Sequence, residues 1–238
     1  PFHITGHHFR WERFQENSPP LTVYGVGISE RFNAYIEAAG GAAKKPGDYL
    51  YYNGTQRHFR DGAWGILRVF DSLQSSLKPL PGREPTTAEG VFPGLIGAVD
   101  IPPSAQNPGN PCPADAEVKH FDVSAIDKAL LLNNPATTSS AIDQQGQMYV
   151  LDADVEAILT GEKQADPLVI RANSGDCITV KLTNRTKKQH ASFHLDSPSF
   201  DPQGSLGITL GLNLEQTVPP HKDANLPPAS RTYRYFAD

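Results

Sequence analysis

The sequence predicts an all-β chain, a sandwich or Greek-key barrel of short antiparallel strands. Two observations carry that expectation. Apolar and aromatic residues recur in short runs closed by Gly, Pro, Asn and Asp, which is strand punctuation. The 238 residues also include 21 Pro and 20 Gly, too many for a bundle of long helices. With 38% hydrophobic and 20% charged residues, the chain is globular and long enough for a substantial core.

Taken in order, residues 3–14, 21–28, 31–36, 49–53 and 65–70 read as strands. Residues 73–113 form a long Pro-rich linker without sustained apolar period, running from Pro79 to Pro113. Beyond it, residues 119–126, 148–151, 168–171, 177–182, 191–195 and 232–237 again read as strands. The single predicted helix covers 152–161, where Asp152 or Asp154 can cap and Val155, Ile158 and Leu159 share a face. The organisation is therefore a strand-rich unit at 1–72, the linker at 73–113 and a second strand-rich unit at 114–238.

Charge and hydropathy narrow the partners. A net charge of −5 leaves no electrostatic footprint for nucleic acid or an anionic membrane surface, and no apolar run is long enough to span a bilayer. The stretch opens on Pro1 with no Met leader, so the natural start is expected to be processed away or to lie outside these residues. Cys112 and Cys177 lack the spacing of zinc or redox motifs and are either a disulfide or two buried thiols. A disulfide would tie the linker to a strand and imply an oxidising compartment.

Four local patterns could carry chemistry. In PFHITGHHF, an extended chain places His3, Thr5 and His7 on one face and His8 on the other; imidazoles at i and i+4 of a strand are too far apart to chelate one ion unaided. Residues 47–70 read as a hairpin-like pair of strands around an Asn-Gly loop bearing His58. In Ser192-Phe193-His194-Leu195-Asp196, His194 and Asp196 point to one side and either share a cation or hydrogen-bond to each other. The Gly-rich run 204–213 lacks the lysine of a phosphate loop and reads as turn chemistry.

Residues 1–70, from PFHITGHHFRW through PGDYLYYNGTQRHFRDGAWGILRVF, resemble the C-terminal half of a cupredoxin domain of the multicopper oxidase family. Residues 166–238, with DPLVIRANSGDCITVKLTN, SFHLD and GLNLEQTVPP, resemble the N-terminal half of another such domain. The resemblance implies cupredoxin-like Greek-key domains and a piece of a longer, ceruloplasmin-like or bacterial manganese-oxidase-like polypeptide. The remaining domains or companion chains would be its partners, and its location extracellular or periplasmic. The whole protein would hold copper and oxidise a metal ion or phenolic substrate while reducing oxygen to water.

The family's copper motifs are degenerate in this chain. Where the family places H-C-H, a further His and Met, this chain has Tyr52, Asn53, Gly54, His58 and Ala63, so the thiolate of a blue-copper centre is missing. In the preceding H-x-x-H-x-H, the second position is His3 and the third is Thr5; the H-x-H of the following domain becomes His194-Leu195-Asp196. By that resemblance His3 and His194 meet across an interface. There, His3, His194 and Asp196 either hold one divalent ion in a vestigial type 2-like site or satisfy one another's hydrogen bonds. No cofactor and no catalytic residue is expected within these residues themselves.

Overall fold

The computed structural model describes residues 1–12, 14–36, 38–71, 109–133, 140–196 and 198–238. The expected linker at 73–113 lies outside the described residues apart from 109–113. The regular structure of the described chain is mostly β-strand in sheets, with two short α-helices, as the punctuated period-two pattern requires.

The N-terminal sheet has the order β4-β1-β5-β6, formed by β1 (Phe2–Ile4), β4 (Val23–Tyr24), β5 (Gly47–Asn53) and β6 (Trp64–Val69). The expected strand over 3–14 is broken. Gly6 turns the chain at a φ of 64°, so β1 stops at Ile4 and the pairing resumes only as β2 (Phe9–Arg10) against β3 (Pro20–Leu21). Among the described residues, the β-pairing of 31–36 is limited to the bridge between Ile36 and Phe9, while Phe32 packs its ring against Phe2, Phe9 and Tyr24. The connection between β5 and β6 contains a single helical turn, α1 (Gln56–Arg60), on which His58 is exposed.

The second sheet has the order β10-β7-β11-β13-β12, from β7 (Val118–Asp127), β10 (Gln147–Leu151), β11 (Cys177–Asn184), β12 (Ser199–Phe200) and β13 (Ser230–Phe236). A further hairpin, β8 (Leu130–Asn133) with β9 (Ser140–Asp143), was not visible as period-two alternation. The all-antiparallel expectation fails at one place. β7 and β11 run parallel in register from Val118↔Cys177 to Ala125↔Asn184, because the chain between them is long enough for a crossover. Residues 168–171 and 191–195 are extended but unpaired except for the bridge between Ala191 and Val218; Leu168, Ile170 and Leu195 nevertheless pack on the core.

The predicted helix is a 3-10 turn at Asp152–Asp154 followed by α2 (Val155–Thr160), closed by Gly161 at a φ of 85°. Neither aspartate caps it. Asp152 instead accepts from Ser124 (2.5 Å) and Arg185 (2.8 Å), and Asp154 pairs with Lys163.

Both sheets share one core. Tyr49, Leu50 and Val69 of the N-terminal sheet pack in the same cluster as Val123, Val180, Leu182, Phe200, Leu206, Tyr233 and Tyr235. The buried tyrosines carry their hydroxyls to acceptors, Tyr233 to the Gln216 carbonyl (2.6 Å) and Tyr235 to that of Phe193 (2.9 Å). A polar clip closes the rim. The fully buried Asp48 takes a two-pronged bond from Arg68 (2.6 and 2.7 Å) and the Leu212 N–H (2.7 Å), while its backbone exchanges bonds with the Asn213 amide. The Gly-rich run 204–213 is thus turn chemistry with a purpose: it delivers Asn213 to β5. Finally, Cys112 and Cys177 form a disulfide with a Cα separation of 5.6 Å, fixing residues 109–113 against β11.

Candidate functional site at the sheet junction

Cross-strand register builds the site. β1 and β5 pair antiparallel with His3 opposite Tyr52, and the two rings stack at 4.8 Å between centroids and 18° between planes. Gly54, just beyond β5, lies against the imidazole; a methyl group there would overlap His3 Nε2. Tyr52 also meets Phe59 of α1 edge-on at 5.6 Å.

The opposite side is supplied by residues 191–196. Extended backbone alternates their side chains. Phe193 and Leu195 line an apolar cavity of about 500 Å³ together with Met148 and Tyr149, while His194 and Asp196 meet. The His194 Nε2 donates to Asp196 Oδ1 at 3.0 Å, and the His194 ring stands edge-on to Phe200 at 5.5 Å. The other ring nitrogen, Nδ1, is buried without a hydrogen-bond partner among the described residues.

The two sides act on one carboxylate. The His194 hydrogen bond holds Asp196 below its ordinary titration range against the opposing effect of burial, helped by the charges of His194 and His3 and by a hydrogen bond from the Tyr52 phenol. Burial first, and then the neighbouring Asp196, push the Tyr52 hydroxyl upward. His3, His194 and Asp196 therefore share one neighbourhood, with Tyr52, which stands at a lost ligand position of the family motif, as a fourth member. No local sequence signal marks it, since only the pairing of β1 with β5 sets Tyr52 against His3.

Among the described residues no group of three or more His, Cys, Asp or Glu side chains is arranged to hold a metal ion. What the arrangement offers chemically is a hydrogen-bonded carboxylate between an imidazole and a phenol. Nor do the residues fit a blue-copper centre. Asn53, at the thiolate position, uses its Oδ1 to accept the Thr55 N–H (2.9 Å), and its own N–H is bonded to the Ala63 carbonyl. His58 is exposed on α1 in that loop.

His7 departs most from expectation. The turn at Gly6 removes it from the face of His3 and buries it fully, with Nδ1 on the Thr5 carbonyl at 2.8 Å. Among the described residues no helix is long and apolar enough to cross a membrane. Comparison with known protein families finds no matching family, and comparison with curated proteins finds no match either.

Proposed function

We propose that residues 1–238 are a segment of a multicopper-oxidase-like protein, built on cupredoxin-like Greek-key sheets, whose own contribution is architectural and whose copper positions are degenerate. One observation carries the reading. His3 on β1 and His194 on the 191–196 segment, which the resemblance assigns to opposite sides of an interface, both act on Asp196. In this reading the whole protein couples oxidation of a metal ion or a phenol to reduction of oxygen, with copper ligands supplied by further domains. An extracellular or periplasmic location accords with the disulfide.

A second reading is a cupredoxin-like structural or metal-binding protein without oxidase activity. Its structural form is favoured by the hydrogen bonds that His194 and Tyr52 both direct to Asp196, because an ion at that carboxylate would have to displace them. Intact mass and metal content of the natively purified protein, with oxygen consumption on manganese(II) and a phenol, separate the two. The oxidase reading expects a mass well above 25.9 kDa, bound copper, and copper content unchanged by His194→Ala. A mass near 25.9 kDa with no copper and no oxygen consumption would sink it.

A further inference from the structure

We propose that His7 is an acid-operated latch on the loop formed by residues 38–47: one proton taken up by its imidazole releases Gly40 and loosens the loop's hold on the second sheet. Both ring nitrogens are committed, and in opposite senses. Nδ1 must donate to the Thr5 carbonyl at 2.8 Å, and Nε2 must accept the Gly40 N–H at 2.9 Å. Only the neutral ring with its proton on Nδ1 satisfies both partners. A proton added at Nε2 would face the Gly40 N–H donor to donor, inside a site with no solvent access.

The loop has little slack to absorb that clash. The Tyr49 hydroxyl reaches the carbonyls of Gly40 (3.1 Å) and Lys45 (2.8 Å), and its ring stands edge-on to His7 at 4.5 Å. Gly41, at a φ of 69°, sits where any Cβ would strike the Gly6 carbonyl oxygen. At its far end the loop presents the Lys45 ammonium to Asp201, the residue that follows β12 of the second sheet, whose Oδ2 also accepts the Gly109 N–H at 2.6 Å. Releasing Gly40 thus loosens a contact between the two sheets.

Of the ionisable groups around the loop, His8 on the same segment opposes an imidazolium at His7; the others are Tyr49 on β5 and the Lys45–Asp201 pair at the far end of the loop, whose opposite charges offset each other. Burial first, and then the charge of His8, lower the His7 pKa below 6.5, with the Thr5 bond opposing. The sign follows from linkage. The unfolded or opened ring binds a proton more readily, so the closed latch is fully supported above pH 6.5 and weakens as pH falls below it. Asp201 runs the other way: burial raises its pKa, so acidification relieves the cost of its charge.

Amide hydrogen exchange on the 238-residue chain, compared at pH 7.5 and 5.0 after correction for intrinsic rates, tests the latch. Protection across residues 38–47 should fall at pH 5.0, by up to about tenfold per pH unit between 6.5 and the lower pKa of the closed state. Amides of β11 and β13 should keep theirs. In His7→Gln the loss of protection across residues 38–47 on acidification should vanish. Unchanged protection in the wild type, the same pH dependence in His7→Gln, or a loss shared equally by β11 would each overturn the proposal. Should His7→Gln not fold, nitrogen shifts of His7 in the wild type decide instead: a proton on Nδ1 alone at pH 7.5 supports the latch, and a proton on Nε2 refutes it.

Discussion

Removing the Cys112–Cys177 bond should cost about as much as truncating one large buried side chain. The two cysteines are 65 residues apart in sequence. A closed loop of that size restricts the unfolded chain by about 14.5 cal/mol/K, or about 4.3 kcal/mol at 25 °C in the loop-entropy account. Against a typical domain stability of about 5–15 kcal/mol, that is a large share. With an unfolding entropy of about 2.1 cal/mol/K per residue, a 238-residue chain should lose about 9 °C in Tm. The assay is urea unfolding of wild type and of Cys112→Ala/Cys177→Ala, followed by far-UV circular dichroism and tyrosine fluorescence. Alanine avoids placing a hydroxyl at the buried position of Cys177. Reduced wild type provides a second comparison without substitution. The bond also holds Gly109 three residues away, so the Gly109 amide on Asp201 should lose exchange protection in the variant. A loss below about 1 kcal/mol in both comparisons would refute the entropic reasoning, and a non-reducing peptide map that recovers free Cys112 and Cys177 would remove its premise.

Asp48→Ala should destabilise by about 3–5 kcal/mol, because it leaves the Arg68 guanidinium and the Leu212 N–H without their shared acceptor at a buried rim. Denaturant unfolding of the single variant and of Asp48→Ala/Arg68→Met measures it, and a single-variant loss under about 1 kcal/mol would contradict the clip. Glu215 should titrate at about 2, since the Thr217 hydroxyl (2.6 Å) and N–H (2.8 Å) both donate to its Oε1. Its folded pKa is depressed, so its contribution is complete above pH 4.5 and is lost as pH falls toward 2. Carboxyl NMR titration of wild type and Thr217→Val checks this, and a Glu215 midpoint already near 4.5 in the wild type would overturn it.

The strands that alternate cleanly were legible: β5, β6, β10, β11 and β13 fall on predicted runs within about two residues. Where a residue breaks local pattern for a distant partner, legibility ends. Residues 3–14 look like one strand because nothing local announces that Gly6 must turn to pass the Tyr49 ring. The parallel pairing of β7 with β11 leaves no local trace, since the second half of β7, from Val123 to Ile126, is buried on both faces. Asp152 looks like a helix cap, and Arg185 claims it from β11's end. At the site, the His194–Asp196 bond follows from i, i+2 spacing on an extended chain. Its meeting with His3 was suggested by family resemblance, and the role of Tyr52 depends on register across a sheet.

The shared core also sets a timetable for synthesis. Tyr49 and Leu50 share their core cluster with Leu182, Tyr233 and Tyr235, the last of these 186 positions downstream of Tyr49. At elongation rates of about 5–20 residues per second, the apolar face of the N-terminal sheet waits roughly 9–37 s for its cover. Pairing of β7 with β11 is likewise deferred until the crossover has emerged. A nascent chain in this interval displays an aromatic sheet face and open strand edges, which is the form that holding chaperones bind and that neighbouring nascent chains can cross-pair with. Yield of folded protein should therefore respond to translation speed and holdase supply more than to the equilibrium stability of the finished molecule.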